Sequence, residues 1–176
     1  MNALEKSEIL DALQQSRRSF QNSVNGVTEE LATRSPGAGR WSILECAEHV
    51  AVSEDYLFSL IAQARDRESS IVNESRVALI LARGADRSRP KMSPEVVRPT
   101  ARFATLAEAV GHFSISRDRT LHFLEGCEED LRFKMATHPL LGPVNCDEVL
   151  ALMAVHTSRH AKQIYEIRTC VFSTNG

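Results

Sequence analysis

The sequence predicts an all-α fold, a four-helix bundle with one long crossover connection. Four long segments carry apolar side chains at helical spacing, no segment alternates strongly enough for a strand, and a long irregular stretch separates the second helix from the third. With 176 residues, 43% of them hydrophobic, the chain suits a single domain over residues 1–176 with a core that needs no disulfide staples.

The first helix is expected from about Ala3 to Val24, where Leu10, Leu13, Arg17, Phe20 and Val24 recur at helical spacing. It gives way near Asn25-Gly26; Thr28 can cap a short turn, and Ser35-Pro36-Gly37-Ala38-Gly39 is a loop by composition. Ser42 and Glu45 have the spacing of a capping box and open the second helix, whose stripe of Ile43, Ala47, Val50, Leu57 and Ile61 carries it to about Arg65. Residues from about Asp66 to Ala104 are irregular: an apolar run from Val77 to Ala82 is followed by Gly84, Pro90, Pro94 and Pro99. This is the crossover, which would carry the chain from one end of the bundle to the other. The third helix, about Leu106 to Glu125 behind a Thr105 cap, shows Leu106, Val110, Phe113, Leu121 and Leu124 on one face. His138-Pro139-Leu140-Leu141-Gly142-Pro143 reads as a rigid turn, and Asn145 caps a last helix lined by Val149, Met153, Ile164 and Ile167 as far as about Cys170. Asp147 and Glu148 fall in its first turn, where the helix dipole favours acids.

The net charge of −2 supplies no field to gather nucleic acid or an anionic membrane, so nucleic acid is not expected as a partner without a local patch. The longest apolar run, Val149 to Val155, is far short of the roughly 20 residues that span a bilayer. Glu5, Lys6, Glu8 and Asp11 break the pattern of a secretory signal, and a cytoplasmic location is expected. Cys46, Cys127, Cys146 and Cys170 form no C-x-x-C pair and are expected to be reduced thiols, mostly packed as small apolar groups.

His156 and His160 lie four apart on the last helix and continue the inward stripe of Val149, Met153, Ile164 and Ile167. Two imidazoles there can chelate one metal ion, or be core histidines satisfied by hydrogen bonds. Thr157 follows His156, so the general base of an H-E-x-x-H metalloprotease is missing. His49 sits at the edge of the second helix's stripe, where a lone histidine is ordinarily structural or solvent-facing.

Three stretches in order, Gly39-Arg40-Trp41-Ser42 with His49 two turns on, His138-Pro139-Leu140-Leu141-Gly142, and His156-x-x-Arg159-His160-x-x-Gln163-Ile164, resemble the DinB/YfiT-like superfamily of metal-dependent enzymes. The resemblance spans most of the chain. It implies a four-helix bundle with a long crossover and a divalent metal held by His49, His156 and His160. Three imidazoles leave a coordination position open, as catalytic rather than structural ions require; zinc, nickel and iron all suit such a set. Relatives in that superfamily imply a thiol-dependent S-transferase or isomerase acting on a small-molecule substrate with a low-molecular-weight thiol as cosubstrate. A metal-dependent hydrolase and a non-enzymatic, stress-associated small-ligand-binding protein are the alternatives. Related bundles often pair, so a homodimer is open. The crossover is expected to shape the pocket, with Arg83, Arg87, Arg89, Lys91, Arg98 and Arg102 as solvated basic residues. His138 is taken as structural, His112 and His122 as surface residues, and Arg159 and Gln163 as supports for the last helix; Glu45 and Glu54 can each orient a ligand or move a proton, the more ordinary readings being a helix-terminal acid and an exposed one.

Overall fold

The computed structural model describes residues 3–66, 76–84 and 93–173. Four long helices form the bundle: α1 (Ala3–Val24), α3 (Ile43–Ala62), α5 (Leu106–Gly126) and α6 (Cys146–Ser173). A short α2 (Glu29–Thr33) precedes α3, and α4 (Val77–Gly84) lies within the connection between α3 and α5 and packs on α6. No described helix is long and apolar enough to cross a membrane.

Three of the helix starts follow from their caps. Ser42 and Glu45, and likewise Thr105 and Glu108, form reciprocal capping boxes that satisfy the first free amides of α3 and α5. Asn145 Oδ1 accepts from the Glu148 amide at 2.9 Å while the Glu148 carboxylate accepts from the Asn145 amide at 3.2 Å, starting α6 in the same way.

Around the bundle the order is α1, α6, α3, α5. Asp55 meets His112 and Ser116, and Phe58 meets Phe123, so numbers rise together and α3 runs parallel to α5. Parallel neighbours cannot be joined by a tight turn, which is why a long crossover separates them. Its closing part is tied down by Glu48, whose buried carboxylate accepts from the Thr100 amide at 2.7 Å and from Arg102 at 3.1 Å.

The core has two apolar clusters. One gathers Phe20, Ile43, Val50, Phe113, Ile164 and Ile167; the other gathers Leu13, Leu57, Leu124, Leu131, Val149 and Met153. Arg117 lies between helices contributing to both, and it is fully buried. Its Nε and Nη2 donate to Glu54 at 2.6 and 2.8 Å; Nη1 donates to the Leu13 carbonyl at 2.6 Å and Ser16 Oγ at 2.8 Å; Nη2 also reaches Thr157 Oγ1 at 3.0 Å. One guanidinium thus bonds α1, α3 and α6 from α5. Glu54 is therefore buried rather than exposed, which corrects the sequence expectation.

Two further expectations are corrected. Leu13, Phe20 and Val24 of the expected α1 stripe are buried, together with Ile9, Ser16 and Ser23, whereas Leu10 is half-buried and Arg17 instead pairs with Asp118 at 2.6 Å. A small antiparallel sheet is also present, with β1 (Arg65–Asp66), β2 (Lys134–His138) and β3 (Gly142–Asn145) in that order. Arg65 pairs with Met135 and His138 with Gly142. The expected rigid turn is the tip of the β2–β3 hairpin, closed by Gly142 at φ +69°, and Pro143 is tolerated because β3 is an edge strand. The four cysteines are free thiols, as expected; Cys46 and Cys146 are buried, and burial pushes the Cys146 thiol up to about 12.

Glu54→Gln or Arg117→Met should each destabilise the protein by about 3–5 kcal/mol, since each leaves a buried partner unmatched, while the Glu54→Leu/Arg117→Met double variant should recover much of that loss. Urea denaturation of the four proteins checks this; additive losses in the double variant would refute the coupling.

Candidate metal centre

α3 and α6 run antiparallel and bring three histidines of the resemblance to one point. The ring centroids of His49, His156 and His160 lie 4.9, 4.6 and 4.5 Å apart, and one ring nitrogen from each falls within 4.8 Å of the others. His49 is buried, not at a solvent edge. His49 Nδ1 donates to the Val97 carbonyl at 2.7 Å, since a carbonyl only accepts; this leaves the Nε2 lone pair facing His156 Nε2 at 3.1 Å. Across this contact His156 Nε2 either donates a proton to His49 Nε2 or joins it in presenting a lone pair to a cation. Two imidazoles bound to one ion at about 2.0–2.1 Å have their nitrogens about 3.0–3.4 Å apart, so the donor set fits a divalent metal. His160 Nδ1 is buried without a hydrogen-bond partner.

All three imidazoles are held below the usual histidine range. Burial is the main cause at each; around His156 the neighbouring His49, Arg159, Arg117 and His138 add to it, and around His160 the neighbouring His156, His49 and Arg159 do. The Val97 carbonyl at His49 and Gln163 at His160 oppose the shift without reversing it. The rings are thus neutral near pH 7, the state that coordinates.

The cluster opens into a cavity of about 810 Å³ walled by Trp41, Tyr56, Leu57, Leu152 and Val155. The Trp41 ring packs 4.9 Å from His49. The crossover shapes this cavity as expected, through Ser93, Pro94 and Val97. His138 keeps a structural role, its Nδ1 accepting from the Leu140 and Leu141 amides at 3.2 Å each, but its ring also lines the cavity. That tautomer leaves the proton on Nε2. Arg159 and Gln163 do more than support the helix, because both line the cavity. Glu45 is confined to its cap, His112 bonds Asp55 at 2.5 Å, and exposed His122 bonds the Asp118 carbonyl. Arg98 and Arg102 bond the chain of their own loop, and Arg102 also Glu48; Arg87, Arg89, Lys91 and the Arg83 side chain lie outside the described residues.

Residues 12–164 match the family model of the DinB superfamily. This chain belongs to that superfamily. Within reach of the DinB fold, YuaE of Bacillus subtilis strain 168, described as an uncharacterized protein, is 20% identical over 147 residues, 84% of this chain and 89% of YuaE. The solved structure of YfiT from Bacillus subtilis, described as a "probable metal-dependent hydrolase with an unusual four-helix bundle topology", superposes with a TM-score of 0.63 at 16% identity, covering 96% of this chain and 89% of YfiT. At that identity the likeness shows a shared fold.

The buried histidines predict a pH signature for the protein stripped of metal. Their folded pKa values lie below the unfolded value of about 6.5, so below that pH the unfolded chain binds protons first and stability falls as pH falls. Each such histidine contributes a slope of at most about 1.4 kcal/mol per pH unit. Asp147, raised by burial to about 6, works in the opposite direction but does so equally in a variant. Melting curves of wild type and His156→Asn between pH 7.5 and 5 should therefore diverge in slope, the variant being flatter; parallel curves would contradict neutral buried rings.

Proposed function

We propose that His49, His156 and His160 hold a divalent ion, zinc, nickel or iron, and that the protein is a metal-dependent enzyme transferring a low-molecular-weight thiol to a small molecule, or isomerising it with that thiol, in the cytoplasm. The observation that carries this is the meeting of three neutral imidazoles at the wall of a cavity large enough for a small organic substrate. With three protein ligands the ion would keep an open position, and when bound it supplies Lewis acidity and turns a thiol or a water into a nucleophile near neutral pH.

The chain's own residues favour the thiol over water. Among the described residues lining the cavity none is Asp or Glu, so none of these offers a carboxylate to draw a proton from an attacking water. A thiol held by such an ion would lose its proton on binding and would need no such base. In the transfer the sulfur forms a bond to an electrophilic carbon and the leaving group departs with the bonding pair. The thiol proton passes to the leaving group or to solvent. His138 and Arg159 offer N–H groups to the negative charge that develops, and the Trp41, Leu57 and Val155 walls exclude water from it. Hydrolysis is the second reading, favoured by the description of YfiT.

Tag-free protein should carry close to one equivalent of divalent metal by elemental analysis. His49→Ala, His156→Ala and His160→Ala should each weaken binding by more than the roughly 10–100-fold that loss of an outer partner costs. Unchanged metal content in any of them removes that residue from the ligand set. Loss of free thiol with an electrophile panel, metal-dependent and absent from the variants, supports transfer; product that requires the thiol without consuming it supports isomerisation, and product formed with no thiol present assigns hydrolysis instead.

A further inference from the structure

Buried hydroxyls in this protein are, with one exception among the described residues, hydrogen-bonded. Ser16 and Ser23 on α1 donate to the carbonyls of Leu13 and Phe20 at 2.9 and 2.7 Å, Thr120 on α5 donates to the Ser116 carbonyl at 3.1 Å, and Ser116 donates to Asp55 at 2.7 Å. Ser53 on α3 is the exception: it is 3% exposed, and its Oγ finds no partner among the described residues. A helical serine commonly turns back to the carbonyl one turn before it, which here is that of His49. Ser53 does not, and it lines the cavity with its hydroxyl unmatched.

The residues on either side of Ser53 define what would match it. His49 lies one turn before it, about 6 Å along the helix axis, and Tyr56 and Leu57 lie one turn after it. All four line the cavity, and Leu152 and Val155 line it from α6. On α3 the hydroxyl therefore stands between the histidine cluster and an apolar stretch of wall. A buried hydroxyl left unmatched costs free energy that a bound acceptor would return. One neutral donor is matched by one neutral acceptor, whereas a charge seated against Leu57, Leu152 and Val155 would give up its water for a single hydrogen bond. A carbonyl oxygen carried on a hydrocarbon body meets the donor and the apolar wall together.

We infer that Ser53 is a specificity-determining residue of the cavity, its Oγ–H donating to an uncharged carbonyl oxygen of a small molecule whose hydrocarbon part lies along Tyr56, Leu57, Leu152 and Val155. This rests on the reading of the cavity as the substrate site. It goes beyond that reading by naming a functional group that the molecule carries and a residue, other than the three histidines, that reads it.

Acetophenone and α-methylstyrene have nearly the same shape and differ in carrying a carbonyl oxygen or a methylene group at one position. Their dissociation constants are measured by ligand-observed NMR titration with wild type, Ser53→Ala and Ser53→Thr, each metal-stripped and metal-loaded. Ser53→Ala should reduce the preference for the ketone over the alkene by about 2- to 10-fold in both metal states, through weaker ketone binding, and Ser53→Thr, which keeps a hydroxyl, should retain it. Neither the metal content of Ser53→Ala nor its melting temperature without ligand should fall, since no hydrogen bond is lost and alanine suits a helix. Failure of both probes to bind overturns the proposal. So does a ketone preference that Ser53→Ala leaves unchanged, whether because water alone satisfies the hydroxyl or, where the preference needs metal, because the ion takes the carbonyl. A lower melting temperature with an unchanged preference makes Ser53 a structural residue and overturns it too. If the histidine variants keep their metal while Ser53→Ala still shifts the preference, the ligand set fails and this inference stands; metal lost from those variants with no shift in Ser53→Ala does the reverse.

Discussion

Arg117 brings a full positive charge into the middle of the bundle, and the placement of the long helices follows from what has to surround it. A buried guanidinium must have its five N–H donors met, and here the acceptors come from the Leu13 carbonyl and Ser16 on α1, Glu54 on α3 and Thr157 on α6. Sliding α1, α3 or α6 by one residue would carry Ser16, Glu54 or Thr157 out of line with the guanidinium and break the matched set of acceptors. The pair adds little net stability compared with a hydrocarbon core, but it makes alternative registers costly, which is what a site assembled from two helices needs. His156 is the immediate neighbour of Thr157, and His49 lies five residues before Glu54 on the same helix. The register that satisfies Arg117 is thus the register that makes the imidazoles meet.

A second constraint acts from the crossover. His49 could rotate about its side-chain bonds were it not for the Val97 carbonyl, which fixes both the ring and its tautomer. Val97 is held in turn because Glu48, the residue before His49, clamps the Thr100 amide and Arg102. Neighbouring residues on α3 therefore do complementary work, one anchoring the loop and the other being oriented by it. A single turn of 3-10 helix, Glu95–Val97, thus becomes part of the site because its neighbours anchor it.

The bundle was legible because amphipathic periodicity and caps are local signals, and the helix starts at Ser42, Thr105 and Asn145 follow from them alone. The buried ion pair was legible too, though only as a gap. On α3 the apolar positions 43, 47, 50, 57 and 61 skip 54, and on α5 the positions 106, 110, 113, 121 and 124 skip 117. Each missing beat is a charge of opposite sign, and both gaps fall in the middle of their helices; a stripe interrupted once on each of two helices by complementary charges is a signature of a buried pair. The sheet left no such trace. Its strands are 2, 5 and 4 residues long, too short for alternation to stand out, and β3 contains both Gly142 and Pro143. His49 lies at the edge of its helix's apolar stripe and is nonetheless buried, because Trp41, the Val97 segment and the rings of His156 and His160, none on its own helix, pack around it. The chemistry of the cavity, four imidazoles and two guanidiniums with no acid among the described lining residues, emerges only when five separate segments are brought together.

Three desolvated imidazoles around a common point destabilise the fold in isolation, and that cost has a chemical use. A flexible chelator must shed protons and order its side chains when it takes up an ion. Here the rings are already neutral, already oriented and already stripped of water, so the unfavourable work is done by folding rather than by binding. An ion that binds this arrangement and not the unfolded chain then returns stability by mass action, growing with its free concentration. The Arg117 network makes this tolerable, since a bundle with its register fixed elsewhere can hold strained polar groups at one wall of a cavity.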